Sequence, residues 1–286
     1  MLFSGSMPVE ITSRQNPVVR DCRRLARARD GDRVLLDGAH LLEEALEEDV
    51  AIESAIASHD FAAGHHALLA ALGRRTNVYL AGDEVLRAAS PVKTPSGIVA
   101  IASLPLSPVS DTLGQQAAGA SAFRAAMAVA LVDVQDPGNA GAVIRSVEAA
   151  GGTGVIASDA TTDPRGWRAL RASMGSAFRV PIAEAGTDQV FSDAKVAGVR
   201  VIASTLDPAS ADMRDVTWTE PFILLIGNEA RGLPAGVAHR AELRVRVPMF
   251  GRVQSMNAAV SAAVILYEAE RQRAAAADGS GKSRRG

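Results

Sequence analysis

The sequence of 286 residues contains one cysteine, Cys22, which excludes an internal disulfide and any zinc site built from several cysteines. It has no run of about 18 uncharged apolar residues, so we predict no transmembrane helix. Its first residues form neither a basic segment nor a long apolar segment, so we expect no signal peptide, with Met1 or Met7 as the start. These absences predict a soluble protein of the cytoplasm.

Aromatic residues make up only 4% of the chain, which argues against recognition of single-stranded nucleic acid by stacked aromatic side chains. Lysine is also scarce, because all but three of the 30 basic residues are arginines. Arginine binds phosphate through a bidentate fork, but the excess also fits the codon usage of a GC-rich genome. The formal net charge is −2, so composition alone does not identify a polyanion as the partner.

The glycine motifs that bind phosphate are missing as well. The glycine-bearing segments match neither G-x-G-x-x-G nor G-x-x-x-x-G-K-[ST], which argues against a dinucleotide-dependent oxidoreductase and a P-loop enzyme. The five histidines show no spacing typical of a ligand set, so we predict no metal.

The chain does contain an alternation of apolar, strand-like runs with helix-like segments, on both sides of a polar stretch. The first half predicts a small α/β domain, and the second half predicts a parallel sheet of about five or six strands. The polar stretch is rich in Ser, Gly, Ala and Gln, which is typical of a linker. We therefore divide the α/β chain into a first domain (8–105), a linker (106–124), a second domain (125–273) and a disordered tail (274–286).

Three segments that follow predicted strands of the second domain contain polar residues of interest. Ligands of parallel sheets bind beyond the carboxyl ends of the strands, so these positions matter most. Asn139 and Ser255 are expected N-caps of the helices that follow them. Glu229 comes directly after a buried strand and must be solvated, paired or functional. Each segment taken alone also fits a purely structural role.

Taken in order, these segments resemble the motifs of the SpoU/TrmH family, which comprises S-adenosylmethionine-dependent RNA ribose 2′-O-methyltransferases of the SPOUT class. The matching sequences are N-A-G-A-V-I-R (139–145), I-G-N-E-A-R-G-L (226–233) and V-P-M-x5-S-M-N-A-A-V (247–260). The resemblance covers roughly residues 126–272.

A weaker likeness extends over the first half of the chain. Segments 11–20, 35–46 and 94–102 resemble the RNA-substrate-binding domain that often precedes the catalytic domain in this family. That domain is similar in fold to a ribosomal protein. The resemblance implies that Arg20, Arg23, Arg24, Arg27 and, beside the third motif, Arg252 contact RNA.

The resemblance also implies a deep trefoil knot in the second domain, with S-adenosylmethionine held by three loops of the knot. By motif matching, the cofactor-binding residues are Thr205, Leu206, Gly227, Val247, Met249, Ser255 and Met256. Met256 replaces the usual leucine, a change that conserves volume and apolarity. Members of the family dimerise through the knotted region, which implies a homodimer with the apolar helix 255–271 at its interface.

The catalytic residues implied by the resemblance are Arg145, Asn139, Glu229, Ser255 and Asn257. A guanidinium stays protonated near neutral pH, so we expect Arg145 to clamp the target phosphate and stabilise the developing alkoxide. Glu229 is expected to position Arg145 through an ion pair. The other three residues are expected to bind the ribose or order the loops, and the proton acceptor stays open.

The implied function is methylation of a ribose 2′-hydroxyl in RNA, with large-subunit ribosomal RNA as the expected substrate. Transfer RNA and an antibiotic-resistance site in ribosomal RNA are the alternative substrates. Methylation of a base on a related knotted fold is an alternative reaction. A non-catalytic RNA-binding factor of ribosome assembly is the alternative of another class.

Overall fold

In the computed structural model of the protein, the backbone is described for residues 9–114 and 125–282, and side chains through Ala277. The chain folds into two compact units. The first unit combines the chain up to Pro105 with Arg165–Arg179, and the second combines Leu106–Pro164 with the chain from Val180 onward. The choice between the two start residues and most of the predicted linker lie outside the described residues.

Strands and helices alternate along both units. The strands are β1 (Val9–Ile11), β2 (Arg33–Asp37), β3 (Ala51–Ser58), β4 (Asn77–Ala81), β5 (Ile98–Ser103), β6 (Met127–Val132), β7 (Gly154–Ser158), β8 (Ile182–Glu184), β9 (Arg200–Ser204), β10 (Ala211–Asp212), β11 (Phe222–Ile226) and β12 (Leu243–Arg246). The helices are α1 (Pro17–Leu25), α2 (Ala39–Glu47), α3 (His59–Gly64), α4 (His66–Gly73), α5 (Asp83–Ala89), α6 (Val109–Thr112), α7 (Pro137–Ala149), α8 (Trp167–Ser173), α9 (Thr187–Ala197), α10 (Ala235–Arg240) and α11 (Ala258–Lys282). Short 3-10 turns form at Ser176–Phe178 and Met213–Asp215.

The first unit is built on a mixed sheet with the strand order β1-β4-β3-β5-β2. Strands β1, β4 and β3 are parallel, whereas β5 is antiparallel to both β3 and β2. Helix α1 buries Val19, Cys22 and Leu25 against this sheet, because its apolar residues recur three positions apart. The predicted small α/β domain is thus observed, with β1 as a strand that the pattern did not indicate.

Arg165–Arg179 separates β7 from β8 in the chain, yet it belongs to the first unit. Arg165 is only 3% exposed and donates to the carbonyl oxygen of Leu104 at 2.6 Å. Arg171 lies 3.4 Å from the buried carboxylate of Asp37, and Arg179 forms an ion pair with Glu44. The domain boundaries expected from the sequence did not anticipate this excursion, because its anchors are hydrogen bonds and ion pairs to residues far away in the chain.

The second unit contains a seven-stranded sheet with the order β10-β12-β9-β11-β6-β7-β8. Every pairing in it is parallel, as expected. All residues of β6, β7 and β11 are buried, because helices cover both faces of a parallel sheet. The strands β8 and β10 are short and account for the difference from the expected five or six.

Two segments expected to be irregular are helical. Thr112 lies in the predicted linker, on α6, and is buried against Gly154. A Cβ added at Gly154 would lie 2.6 Å from the Cα of Thr112, which shows how closely the two segments approach.

The second of these segments is at the end of the chain, where α11 continues through Lys282 instead of ending at Arg273. The guanidinium of Arg273 donates to the carbonyl oxygens of Ala125 and Ala126 at 2.9 Å, and the alanines that follow favour helix. Residues 274–282 of the expected disordered tail are therefore helical, and residues 283–286 lie outside the described residues.

None of the helices described has both the length and the apolar character needed to cross a bilayer. The trefoil knot remains a prediction.

Candidate active site

Four neighbouring parallel strands direct their carboxyl ends to one edge of the second sheet, in the order β12, β9, β11 and β6. The loops that leave this edge follow Val132, Ser204, Ile226 and Arg246. They lead to the segments that contain the predicted catalytic and cofactor-binding residues. The shared edge explains how motifs that are about 90 to 120 residues apart in the chain come together.

Asn139 lies inside α7 rather than at its N-cap. The helix begins at Pro137, and the carboxylate of Asp136 accepts a hydrogen bond from the backbone N–H of Gly138 at 2.7 Å. The expectation that Asn139 caps the helix is therefore wrong, because Asp136 already provides the cap. Asn139 is 8% exposed, and its amide group is left available for contacts outside the helix.

Glu229 accepts hydrogen bonds from all around the turn between β6 and α7. Its Oε1 accepts from the side-chain Nδ2 of Asn139 at 2.8 Å and from the backbone N–H of Asp136 at 3.3 Å. Its Oε2 accepts from the backbone N–H of Gln135 at 3.3 Å. Partial burial raises the pKa of Glu229, but these hydrogen bonds outweigh it and hold the pKa below its usual value.

Asn257 connects the third motif to the other two. Its Nδ2 donates to Oδ1 of Asn139 at 2.8 Å. Its own Oδ1 accepts from the backbone N–H groups of Ala259 at 2.8 Å and Val260 at 3.2 Å, so that Asn257 is the N-cap of α11. The prediction that Ser255 caps this helix is wrong, because the helix begins three residues later, and Ser255 is exposed in the preceding loop.

The side chains of Asn257, Asn139 and Glu229 thus form one continuous chain of hydrogen bonds, which we call the amide–carboxylate relay. Each amide of the relay has a fixed orientation. The NH₂ group of Asn139 donates to Glu229, so the amide oxygen of Asn139 is the atom that accepts from Asn257. The ionised carboxylate at one end and the N-terminus of α11 at the other define this polarity. The relay therefore links the three motif segments to one another through hydrogen bonds.

Arg145 stands outside the relay. It lies on α7, is exposed, and makes no hydrogen bond or ion pair with any residue of the described ranges. The ion pair expected between Glu229 and Arg145 is absent there, because Glu229 is satisfied by Asn139 and backbone N–H groups. The guanidinium of Arg145 is consequently available to a ligand.

A second set of contacts in this site was not anticipated from the sequence. Asp133 has a φ of 58°, and its carbonyl oxygen accepts from the side-chain amide of Asn228 at 2.9 Å. Its carboxylate pairs with Arg231 at 2.6 Å. Arg231, which belongs to the second motif, thus has a structural partner within the site. The sequence feature that could have indicated these contacts is Asp133, which directly follows a buried strand, where a carboxylate without a partner is costly.

Gly227 is required by the fold of its own loop. A Cβ at this position would lie 2.4 Å from backbone atoms of Gly232 and Leu233, because Asn228 and Gly232 exchange backbone hydrogen bonds of 3.1 and 2.8 Å. Any side chain at residue 227 would force this loop open. The glycine therefore keeps the loop folded back beside the strand edge.

The other predicted cofactor residues lie in the two flanking loops. The backbone N–H of Thr205 donates to the carbonyl oxygen of Val245 at 2.8 Å, which ties the loop after β9 to β12. Leu206 is 63% exposed, and the side chains of Val247, Met249 and Met256 are partly exposed. Apolar side chains and a glycine loop at one sheet edge fit the flat faces of an aromatic ring, such as the adenine of S-adenosylmethionine.

The predicted RNA-binding arginines fall into different surroundings. Arg24 pairs with Asp21 at 3.2 Å and Asp30 at 2.8 Å, so its charge is already balanced. Helix α1 ends at Leu25, so Arg27 lies beyond the helix that contains the other three first-unit arginines. Arg20 and Arg252 are exposed, and Arg23 and Arg27 line a cleft of the first unit.

No cluster of three or more His, Cys, Asp or Glu side chains that suits a metal ion exists within the described ranges.

Comparison with known proteins matches both units. The family model of the SpoU rRNA Methylase family matches residues 126–267, and the MRM3-like substrate binding domain matches residues 16–100. The structure of an AdoMet-bound rRNA methyltransferase from Sinorhizobium meliloti is 32% identical, with a TM-score of 0.78 over 95% of this chain and 98% of that one. The chain belongs to the SpoU rRNA methylase family.

Two further relatives align over nearly the full length of this SpoU family chain. The 23S rRNA (guanosine(2553)-2′-O)-methyltransferase RlmP of Bacillus subtilis is 28% identical over 90% of this chain and 98% of its own. The SpoU methyltransferase AviRb of Streptomyces viridochromogenes, in complex with AdoMet, is 25% identical, with a TM-score of 0.78 over 91% of this chain and 99% of its own.

Replacing Glu229 by glutamine tests the charge at the end of the relay. In the variant E229Q, an NH₂ group replaces one of the two ionised oxygens, so the side chain cannot accept the three hydrogen bonds as the carboxylate does. We expect the free energy of unfolding at pH 7 to fall by about 1 kcal/mol. The pKa of Glu229 is lower in the folded chain than its value of 4.5 in the unfolded chain. The carboxylate therefore stabilises the fold fully at a pH above 4.5, and this stabilisation is lost as the pH falls through the folded pKa. The difference between wild type and E229Q should therefore shrink below about pH 4.5.

Chemical denaturation at pH 7 and at pH 4 measures this difference. The matched control is Glu220→Gln, which removes an exposed carboxylate paired with Arg200 and should change stability only slightly. Equal effects of the two variants at pH 7 would mean that the hydrogen bonds to Glu229 do not hold the site together.

Proposed function

We propose that this chain transfers a methyl group from S-adenosylmethionine to a ribose 2′-hydroxyl of large-subunit ribosomal RNA. The observation that carries the proposal is the amide–carboxylate relay, which joins the three family motifs and includes Asn139 on α7, the helix that also contains the exposed Arg145. Relatives that align with both units are named as 23S rRNA 2′-O-methyltransferases or rRNA methyltransferases, which favours ribosomal RNA over transfer RNA. Ribosomal RNA as the substrate also implies the cytoplasm as the location.

The reaction makes limited chemical demands on the protein. S-adenosylmethionine, when bound, supplies a methyl group on a sulfonium that is already activated toward displacement. The protein has to align the 2′-hydroxyl, stabilise the charge that develops on its oxygen and allow one proton to leave. In this proposal Thr205, Leu206 and Gly227, together with Val247, Met249, Ser255 and Met256, form the cofactor-binding loops.

Arg145 has the freedom that a substrate-binding residue needs. Its guanidinium has five N–H donors and no partner within the described ranges, so it can bind a phosphate and stabilise the developing alkoxide. Glu229 is unsuited to accept the proton, because hydrogen bonds lower its pKa and occupy both of its oxygens. We therefore assign Glu229 a positioning role, with Asn139 and Asn257 holding the loops and Ser255 facing the ribose.

We further propose that the protein forms a homodimer through α11. One face of this helix is buried in the second unit through Ala262, Ile265 and Leu266. The opposite face leaves Val260, Val264 and Tyr267 between 38% and 53% exposed, at the spacing of a single helical stripe. An exposed apolar stripe of this kind is typical of an interface between protein chains.

The substitution Val264→Asp tests the dimer. Burial of an unpaired carboxylate at the interface should cost about 3 kcal/mol, which raises the dimer dissociation constant more than a hundredfold. Sedimentation velocity of the full chain measures the mass directly. Val196→Asp changes another exposed valine of the second unit, 86% accessible, and should leave the dimer intact. A wild-type chain that sediments as a monomer at micromolar concentration would contradict this assignment.

Methyl transfer to isolated RNA tests the proposed function. We expect incorporation of labelled methyl groups into 23S rRNA from a strain that lacks the gene, and not into 16S rRNA or tRNA from that strain. The modified position should resist alkaline hydrolysis, because a 2′-O-methyl group blocks attack on the adjacent phosphate. Labelling of tRNA alone would overturn the assignment of the substrate, and methylation of a base would overturn that of the reaction.

In the same assay, Arg145→Ala should lower kcat at least a hundredfold, while stability and cofactor affinity stay close to wild type. Arg145→Lys, which keeps the charge without the planar fork, should retain part of the activity. The matched control is Arg74→Ala, which removes an exposed arginine of the first unit. Normal turnover by Arg145→Ala would exclude this arginine from the reaction.

A further inference from the structure

The first unit contains an open cleft of about 440 Å³ whose wall is strongly basic. Its ionisable lining residues are all arginines, and Trp167 forms part of the wall beside them. The arginines are Arg14, Arg23, Arg27, Arg87 and Arg168. None of the described residues that line the cleft is acidic.

Four of these five arginines differ from their neighbours, because no carboxylate of the described ranges pairs with them. Arg24 and Arg33, on the adjacent part of the unit, are held by Asp21 and Asp30, and Arg33 also by Glu53. Arg14 is paired with Glu84. By contrast, no acidic residue of the described ranges pairs with the other four cleft arginines, which are Arg23, Arg27, Arg87 and Arg168.

Two of the cleft residues come from the excursion between β7 and β8. Trp167 packs against the apolar core of the first unit, and the guanidinium of Arg168 lies over its ring, 4.4 Å from the centroid. Stacking on an aromatic ring fixes the plane of a guanidinium and leaves its N–H edge free for a bidentate bond. Arg168 thus occupies one face of the indole, an arrangement that favours orientation of Arg168 over stacking of the indole on a nucleobase.

The excursion is firmly attached where it forms the cleft wall. Arg165, two residues before Trp167, is buried and donates to the carbonyl oxygens of Leu104 at 2.6 Å and Gly31 at 3.3 Å. Three residues after Arg168, Arg171 approaches the buried carboxylate of Asp37, to which Ser90 donates at 2.8 Å. Trp167 and Arg168 are therefore preorganised between two anchors.

We infer that this cleft binds the phosphate backbone of the RNA substrate through Arg23, Arg27, Arg87 and Arg168, which all line it. The inference rests on the proposed function, which supplies RNA as the polyanion. Guanidiniums that lack a carboxylate partner favour phosphate, and an indole face occupied by Arg168 argues against base recognition. The segment after β7 thus completes an RNA site on the first unit.

Four single substitutions, Arg23→Gln, Arg27→Gln, Arg87→Gln and Arg168→Gln, test the site in the full chain. All four positions are exposed, so the variants should fold. We expect each to raise the Kd and the KM for 23S rRNA on the order of tenfold. The slope of log K against log salt should become shallower by about one for each lost phosphate contact, and by about two in Arg23→Gln/Arg168→Gln.

The variants should leave S-adenosylmethionine affinity and kcat at saturating RNA unchanged, because the cleft holds no residue of the methyl-transfer site. Arg74→Gln removes an exposed arginine of the same unit outside the cleft and controls for net charge. If the KM and the salt slope of the four variants match those of Arg74→Gln, the inference is wrong. If the wild type binds 23S rRNA without methylating it, the proposed function fails, while the salt slopes still decide the role of the cleft.

Discussion

The candidate active site depends on the charge of Glu229. This carboxylate lies in the loop that follows β11, and its oxygens order the turn between β6 and α7 through two backbone N–H groups. It also fixes the orientation of Asn139, which in turn fixes that of Asn257 at the start of α11. A glutamine at position 229 would leave at least one of these three donors facing an NH₂ group, and a displaced residue would leave all three without this acceptor. The three loops can therefore keep their mutual arrangement only while this acceptor is in place.

This arrangement separates the residues that hold the site from the residue that is free to act. Asn139, Asn257 and Glu229 satisfy one another and the backbone, which leaves little capacity for contacts with a ligand. Arg145, on the same helix as Asn139, has no partner among the described residues. A rigid polar framework beside a free guanidinium is the arrangement that electrostatic stabilisation of a developing oxyanion requires.

Much of the fold and part of the site follow from the sequence. The apolar runs 126–134 and 222–227 correctly indicated buried parallel strands, because a strand covered on both faces has no polar alternation. The resemblance to the family motifs also implied that Asn139, Glu229 and Asn257 belong to one site, and hydrogen bonds join the three side chains. It did not reveal which of them cap helices, since Asp136 and Asn257 have the same capping chemistry as the neighbours that were preferred. Capping depends on where the helix begins, which is the least predictable feature of a sequence.

The arginines show the same limit more clearly. Their number was visible in the composition, but their roles depend on partners far away in the chain. Arg24 and Arg231 are neutralised by aspartates, and Arg165 is buried as an anchor. Arg168 lies in a segment assigned from the sequence to the second domain, yet it faces a cleft of the first unit. Only the folded chain distinguishes a paired guanidinium from a free one.

A double-mutant cycle between Glu229→Gln and Asn257→Ala tests the relay most directly, because these two residues share no contact and communicate through Asn139. The quantity to measure is the free energy of unfolding of the wild type, both single variants and the double variant. The account predicts a coupling energy of about 0.5 kcal/mol or more, which should vanish when the cycle is repeated in an Asn139→Ala background. Additive effects within about 0.3 kcal/mol in the presence of Asn139 would contradict it.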